Sequence, residues 1–304
     1  MKRAPVRHGL EYAVYLGLKG LLRALPHGAA RSFGRGLGRL AHALDGRHRR
    51  VAAKSLRLAF PDWDASRIAA TNRACFAHFG ESFCDAISSM RFDRVESCER
   101  LSVEGWERLE DAESDGKGVL IMGAHLGNWE AVVKPLALYR GDLHIVGRPA
   151  DNPHLNREML RLRERFDSKT IDKHNAARRM LRVLHANEKV GILIDQRVLP
   201  REGIPVPFFG RPAWTTPVLA KLSMRTGAPV VPTYAFAAPN GRYRVEFHAP
   251  IRPSAGGEGA TEEETVARLT QLYLDHVEAA IRLCPEQWLW LHDRWKNAPE
   301  ATSE

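Results

Sequence analysis

His125 and Glu130 are the residues whose types and spacing first suggest chemistry. They are an imidazole and a carboxylate five positions apart in His-Leu-Gly-Asn-Trp-Glu. A histidine held in one tautomer by a carboxylate is a general base that works near neutral pH. The bare spacing also fits a structural histidine at a turn beside a surface glutamate. Its surroundings favour chemistry. The strand-like run Gly118-Val119-Leu120-Ile121-Met122-Gly123 leads into the His, Gly127 and Asn128 interrupt it, and a helical pattern follows through Trp129, Glu130, Ala131, Val132, Val133 and Leu136. Asn128 suits a helix N-cap, because its side-chain oxygen can accept a first-turn N–H. The helix N-terminus would stabilise an ionised Glu130 by roughly 0.3–1 kcal/mol. On one continuous helix the two side chains would diverge by about 140°. With His125 on the strand-to-helix connection that obstacle disappears, and Glu130 is expected to orient it.

The elements that must position this pair alternate between strand and helix from residue 118 onward. Strands are expected at 118–123, 143–147, 190–195, 229–236 and 243–248, and helices at 128–139, 154–166, 175–187, 215–226 and 262–283. Such alternation predicts an α/β fold with a mixed, mostly parallel sheet flanked by helices. Pro239-Asn240-Gly241 predicts a hairpin between the last two strands. A helix is expected at 66–89 and a connection at 98–116, with mobile segments at 254–260 and after Lys296. The expected division is residues 1–60 as basic amphipathic helices, 61–297 as the catalytic α/β domain, and 298–304 as a flexible tail.

The first 58 residues hold thirteen Lys and Arg against two acidic residues, a surplus of eleven that exceeds the +9 of the whole chain. The basicity is therefore local, and it could face anionic lipid, nucleic acid or an acidic protein. Residues 10–25 form a broad apolar helical face beside Glu11, Lys19 and Arg23. Sixteen residues rise about 24 Å, short of the ~30 Å hydrocarbon core, so a span is not expected. An interfacial helix and a helix packed on the protein's own core both fit. In residues 29–44, Phe33, Leu37, Leu40 and Leu44 make an apolar stripe and Arg31, Arg35 and Arg39 a basic one. Gly34, Gly36 and Gly38 would permit close backbone packing there. The apolar start lacks a small-residue cleavage site, so no cleaved leader is expected. Cys75, Cys84, Cys98 and Cys284 show no metal-ligand spacing and imply a reducing setting without a disulfide framework.

Several stretches together resemble the bacterial lipid A biosynthesis acyltransferases, the late lauroyl and myristoyl transferases, and the related phosphatidylinositol mannoside acyltransferases. They are His125 to Glu130, Leu56-Arg-Leu-Ala-Phe-Pro61, Gly147-Arg148-Pro149 with Asp151-Asn152-Pro153, Ile194-Asp195-Gln196, Val206-Pro-Phe-Phe-Gly210, Val230-Val231-Pro232 and Pro285-Glu-Gln-Trp-Leu-Trp-Leu-His292. The chain departs from the family at Ser55, where members often carry Asn. It also departs at Asp195-Gln196-Arg197, where the lipid A enzymes proper carry His-Asp-Tyr-Gly.

The resemblance implies a glycerolipid acyltransferase-like fold with membrane-interface helices at its N-terminus. It implies transfer of a fatty acyl chain from a thioester, on acyl carrier protein or CoA, to a hydroxyl of a membrane glycolipid. His125 and Glu130 would be catalytic, and Arg148, Asp195, Arg197 and Asn128 would bind substrate. Arg148 would meet acceptor phosphate or an oxyanion, and Asp195 would order Arg148 or nearby backbone. Arg201 and Arg211 could reach lipid phosphates. No metal or cofactor is expected, and no Gly-x-Ser-x-Gly elbow is present for an acyl-enzyme. The location implied is the cytoplasmic face of the inner membrane, on an anionic surface, by peripheral or monotopic attachment. A phospholipid or phosphatidylinositol glycoside is the alternative acceptor. A non-catalytic lipid-binding protein is a rival of a different class. Nucleic acid is not an expected partner, since no aromatic-rich recognition module accompanies the basic segment.

Overall fold

Helical periodicity and strand-like apolar runs sort the chain into a helical N-terminal third followed by an α/β body. The structure is a computed structural model that describes residues 5–132, 136, 143–164, 166–172, 176–253 and 260–299. The N-terminal third holds α1 (Pro5–Ala24), α2 (His27–Leu44), α3 (Gly46–Ala59) and α4 (Ala65–Ser88). After them come α5 (Arg94–Glu99), β1 (Leu101–Glu104), α6 (Trp106–Ser114), β2 (Val119–Gly123), β3 (Leu143–Gly147), α7 (Pro153–Glu164) and β4 (Lys169–Asp172). The chain closes with α8 (Ala176–His185), β5 (Lys189–Leu193), β6 (Ile204–Phe208), β7 (Arg211–Thr215), α9 (Val218–Thr226), β8 (Val230–Ala237), β9 (Tyr243–Phe247) and α10 (Glu262–Leu283).

Seven strands form one sheet in the order β1-β9-β8-β2-β5-β3-β4. The five from β8 to β4 are mutually parallel, and β9 turns antiparallel to β8 through the expected hairpin. This is the mixed, mostly parallel sheet that the alternating pattern predicts. The expected connection at 98–116 instead contains the end of α5, then β1 and α6. The strand was hidden because four residues carry too little periodicity to read. The β6–β7 hairpin was missed because Pro205, Pro207 and Pro212 argue against strands. It lies outside the main sheet as its own two-stranded unit. The helix expected at 128–139 begins as a 3₁₀ turn at Trp129–Val132, and most of its remainder lies outside the described residues, as does all but the last residue of the expected loop over 254–260.

Strand alternation sends successive side chains to opposite faces. Leu120, Met122, Val190 and Ile192 join the larger apolar cluster with α8, α9 and α10, to which α3 adds Ala52 and Leu56. Val119, Ile121, Leu143 and Val231 face the smaller cluster with Leu109 and Ala112 of α6.

α2 lies against α4, and its glycines explain how closely. A Cβ on Gly38 would come within 2.1 Å of the Phe76 carbonyl oxygen, and one on Gly34 within 2.5 Å of the Gly80 carbonyl oxygen. Gly36 faces open space. Gly38→Ala should therefore destabilise the protein by about 1–3 kcal/mol, because backbone must move. Gly36→Ala should be neutral or stabilising by up to ~1 kcal/mol, since alanine is the better helix former. Urea unfolding of the two variants tests this, and equal midpoints would overturn the packing argument.

The basic stripe of α2 does not point outward as a unit. Arg31 pairs with Glu81 and Asp85, and Arg35 pairs with Glu81 at 3.2 Å, so two of its three arginines are neutralised by α4. The outward face is the apolar stripe of Phe33, Leu37, Leu40 and Leu44. α1 packs its other side on α7, where Lys19 meets the buried Glu158 at 2.5 Å.

Candidate active site

The parallel pairing of β2 with β5 builds the centre of the site. Its register aligns Gly123 with Leu193. Two residues further along each chain, beyond the carboxyl ends of both strands, stand His125 and Asp195. Ligands of open α/β sheets bind at these carboxyl ends. Asp195 Oδ1 is 2.8 Å from His125 Nδ1, and Asp195 Oδ2 accepts the His125 backbone N–H at 2.9 Å. Trp288 Nε1–H donates to the same Oδ2 at 2.7 Å.

Asp195 is 1% exposed, so three donors replace the water an ionised carboxylate would otherwise need. Burial pushes its pKa up. The His125 charge, the hydrogen bonds from His125 and the Trp288 indole outweigh that and hold it below the ordinary carboxylate value. For His125, burial pulls the pKa down, and the Asp195 charge and hydrogen bond, with a smaller contribution from Glu130, bring it above the ordinary value. With Nδ1–H given to Asp195, Nε2 is the basic nitrogen.

Glu130 is not the residue that orients the imidazole. It faces Arg163 of α7, with Nε to Oε2 at 3.1 Å and Nη2 to Oε1 at 2.6 Å. This two-point clamp fixes the carboxylate, which acts on His125 through its charge alone. Of the two roles expected for Asp195, it does not order Arg148, which pairs with Asp151 at 2.6 Å on the surface, but it does order nearby backbone by accepting the His125 N–H.

Asn128 turns into the protein. Its backbone N–H donates to Ala235 and its backbone carbonyl accepts from Ala131, and Asn128 itself is buried. It thus starts the 3₁₀ turn through its backbone rather than its side chain. Arg211 donates to the Leu58 carbonyl from the β6–β7 hairpin and is not among the residues lining the cavity.

The loop that carries His125 is braced from several sides. Gly127 sits at φ +61°, and a Cβ there would lie 2.0 Å from the Ala235 carbonyl oxygen, so the glycine of the motif is required sterically. Its N–H donates to Gln287, and its carbonyl accepts from His78, whose pKa burial lowers to about 4 and which is therefore a neutral donor. Leu289 N–H donates to the His125 carbonyl. The closing Gln-Trp-Leu-Trp segment is thus a clamp on the His125 loop. Phe208 packs on Trp288 at a ring separation of 5.7 Å, so the Pro-Phe-Phe-Gly turn supports that clamp from behind.

His125 opens onto a cavity of about 960 Å³. Its floor is apolar, from Ile121, Leu143, Ile145 and Leu193, with Met159 of α7 in its wall. Its rim carries Arg148, Arg163, Arg197, Arg201, Glu130 and Glu202. The Arg197 backbone N–H donates to His292 Nε2 at 3.1 Å, and its buried Nε has no hydrogen-bond partner among the described residues. The arrangement pairs a base of raised pKa with an apolar cavity and a cationic rim, which suits a substrate with a hydrocarbon part and an anionic part.

Residues 1–297 match the bacterial lipid A biosynthesis acyltransferases. The chain belongs to that family. It is accordingly an enzyme that transfers acyl groups. It is 26% identical to the lipid A biosynthesis lauroyltransferase of Escherichia coli (strain K12) over 94% of this chain and 91% of the relative. It is 25% identical to the lipid A biosynthesis palmitoleoyltransferase of the same organism over 95% and 92%. It is 26% identical to the phosphatidylinositol mannoside acyltransferase of Mycobacterium tuberculosis (strain ATCC 25618 / H37Rv) over 64% of this chain and 59% of that relative.

The sequence had drawn attention to His125, and the structure gives this acyltransferase a different partner for it. The overlooked residues are Arg163 and Trp288. Arg163 carried no signal beyond being one charge on a helix rich in arginine. Trp288 lay in a quoted motif, but nothing local ties an indole near the C-terminus to a loop more than 150 residues earlier.

Proposed function

We propose that this acyltransferase moves a fatty acyl chain from a thioester donor to a hydroxyl of a membrane glycolipid. His125 serves as general base and Asp195 as its orienting carboxylate. The supporting observation is the buried Asp195–His125 pair opening onto an apolar-floored cavity with an arginine rim. The acyl chain would lie over the floor. His125 Nε2 takes the proton of the acceptor hydroxyl as that oxygen attacks the thioester carbonyl. The new C–O bond forms, the C–S bond breaks, and the thiolate leaves with the proton that the imidazolium returns.

Arg197, which lines the cavity and whose Nε has no hydrogen-bond partner among the described residues, is suited to the developing oxyanion or to an acceptor phosphate. Arg148 and Arg201 at the rim suit the anionic parts of donor and acceptor. Acyl carrier protein or CoA would carry the donor. The glycolipid class rests on the relatives, whose names place them in lipid A biosynthesis or call them phosphatidylinositol mannoside acyltransferases. Purified protein supplied with an acyl thioester and lipid A precursor or phosphatidylinositol mannoside should yield one acceptor enlarged by one acyl chain, detected by mass spectrometry. Absence of an acylated product from both acceptors would overturn the reading.

The same proposal puts the enzyme on the cytoplasmic face of the inner membrane. No described helix is long and apolar enough to cross a membrane. Val6, Leu10 and Val14 nonetheless repeat every four residues on α1 and are 84%, 66% and 65% exposed. The outward stripe of α2 adds Leu40 and Leu44, and the basic surplus of the N-terminal segment attracts anionic headgroups. Deleting α1 would also break its Lys19–Glu158 contact with α7, so point charges are the cleaner test. Leu10→Glu combined with Leu44→Glu should move the protein from the membrane to the soluble fraction. Unchanged partitioning would overturn membrane attachment through this face.

A further inference from the structure

The floor of the cavity is one face of the sheet, and its rows can be read from strand register. In the row nearest the catalytic pair, Gly123 of β2 aligns with Leu193 of β5. In the next row down, Ile121 of β2 aligns with Gly191 of β5, and Gly191 aligns with Ile145 of β3. Two residues along each strand separate the rows, so the second lies about 7 Å further from the base. All three residues of that row line the cavity. The row is therefore two branched side chains flanking a missing one.

Neither backbone nor packing demands a glycine at 191. Its φ is not positive. Among the described residues, the nearest atoms to a Cβ built there are those of the Leu143 side chain, at 3.5 and 3.9 Å, which is ordinary contact. Gly123 differs, because a Cβ there would press on the Leu193 side chain at 2.8 Å. A glycine inside a central strand costs stability and marks a place where something approaches the backbone closely. Here the space above it belongs to the cavity, with Leu143 at its far side.

We propose that Gly191 sets the length of the acyl chain this enzyme accepts. The distal methylenes lie in the notch between Ile121 and Ile145 and end against Leu143. A side chain at 191 fills the notch and shortens the usable floor. The inference rests on the reading that the cavity holds the acyl chain, and it adds which residue measures that chain.

The test uses the full chain and a series of acyl thioesters graded in length, with wild type, Gly191→Ala and Gly191→Val. In parallel, calorimetric titration with free saturated fatty acids of the same lengths reads cavity depth without any transfer step. Each variant should lower kcat/KM for the longest donor wild type accepts, relative to a donor two carbons shorter. The expected change in that ratio is ~10-fold or more, because one surplus methylene in an apolar pocket discriminates on that scale. Valine should act more strongly than alanine, and fatty-acid affinities should shift the same way. Transfer with an unchanged length profile in both variants overturns the role of Gly191 and leaves the acyltransferase reading intact. Fatty-acid binding that shifts as stated while wild type transfers nothing to either glycolipid overturns the acceptor reading and supports the measuring role. Absence of both transfer and fatty-acid binding overturns both. Gly191→Ala is the variant that guards against misfolding, since its added atom makes no close contact.

Discussion

His125→Ala is expected to lower kcat/KM for acyl transfer by roughly 10²–10⁴-fold, the range that a positioned general base supplies. Among the described residues, His125 is the one histidine that hydrogen-bonds Asp195, lines the cavity and has its pKa displaced upward. His292 and His78 also lie near the His125 loop, but burial lowers the pKa of each. His78 gives its Nε2 to the Gly127 carbonyl, and His292 accepts the Arg197 backbone N–H. Neither is placed to replace His125. In the variant, Asp195 keeps the backbone N–H and the Trp288 indole and loses one hydrogen bond. The loss should cost about 1–3 kcal/mol of stability, so a folded protein is expected. Circular dichroism establishes the fold before the kinetics are read. Activity within tenfold of wild type in folded protein would overturn the role of His125.

What was legible in the sequence divides along the distance over which each signal acts. The bounds of β3 and α10 were readable to the residue. β3 is a short apolar run closed by glycine. α10 opens with a capping box in which Thr261 and Glu264 satisfy each other's backbone N–H. The His125 loop was readable because strand end, glycine and following helix are contiguous. The orienting carboxylate was not. Glu130 is five residues away and Asp195 is 70, and only the strand order β8-β2-β5-β3 makes the distant one adjacent. The local signal for Asp195 was present, since Val-Gly-Ile-Leu-Ile-Asp is also an apolar run ending in a polar group. Joining two strand ends needs the knowledge that β5 inserts beside β2 while β3 and β4 pass outside it.

The direction in which the N-terminal helices point was hidden for a similar reason. The stripes of α2 are plain in the sequence, but which one meets the protein depends on α4. Glu81 and Asp85 draw Arg31 and Arg35 inward, and glycine at 34, 38 and 80 lets the backbones close. Once those contacts form, the leucine stripe has nowhere to go but outward. A helix normally buries its apolar face, and the stripes left exposed on α1 and α2 among the described residues are the observation on which the proposed membrane attachment rests.

Asp195→Asn provides the sharpest separation between the two carboxylates near His125. In the wild type the histidine must be neutral to accept a proton, so activity rises with pH through its pKa. Burial alone would place that rise below the ordinary histidine value, and the charge and hydrogen bond of Asp195 carry it above. Asparagine removes the charge and leaves the burial, so the rising limb should move to lower pH.

The rate should nevertheless fall, by ~10²–10⁴-fold, because of how an amide must sit there. The Oδ2 position receives two donors, the His125 backbone N–H and the Trp288 indole, whereas Oδ1 receives only the imidazole. The amide satisfies more partners with its oxygen at the Oδ2 position. Its NH₂ then faces Nδ1 and donates to it, which puts the ring proton on Nε2 and removes the lone pair that should face substrate. Glu130→Gln changes no hydrogen bond to His125. It removes only the smaller charge contribution and should shift the limb in the same direction by less, with a smaller loss of rate. Should Glu130→Gln prove the more damaging of the two, or Asp195→Asn leave the limb in place, the assignment of Asp195 as the orienting group would be wrong.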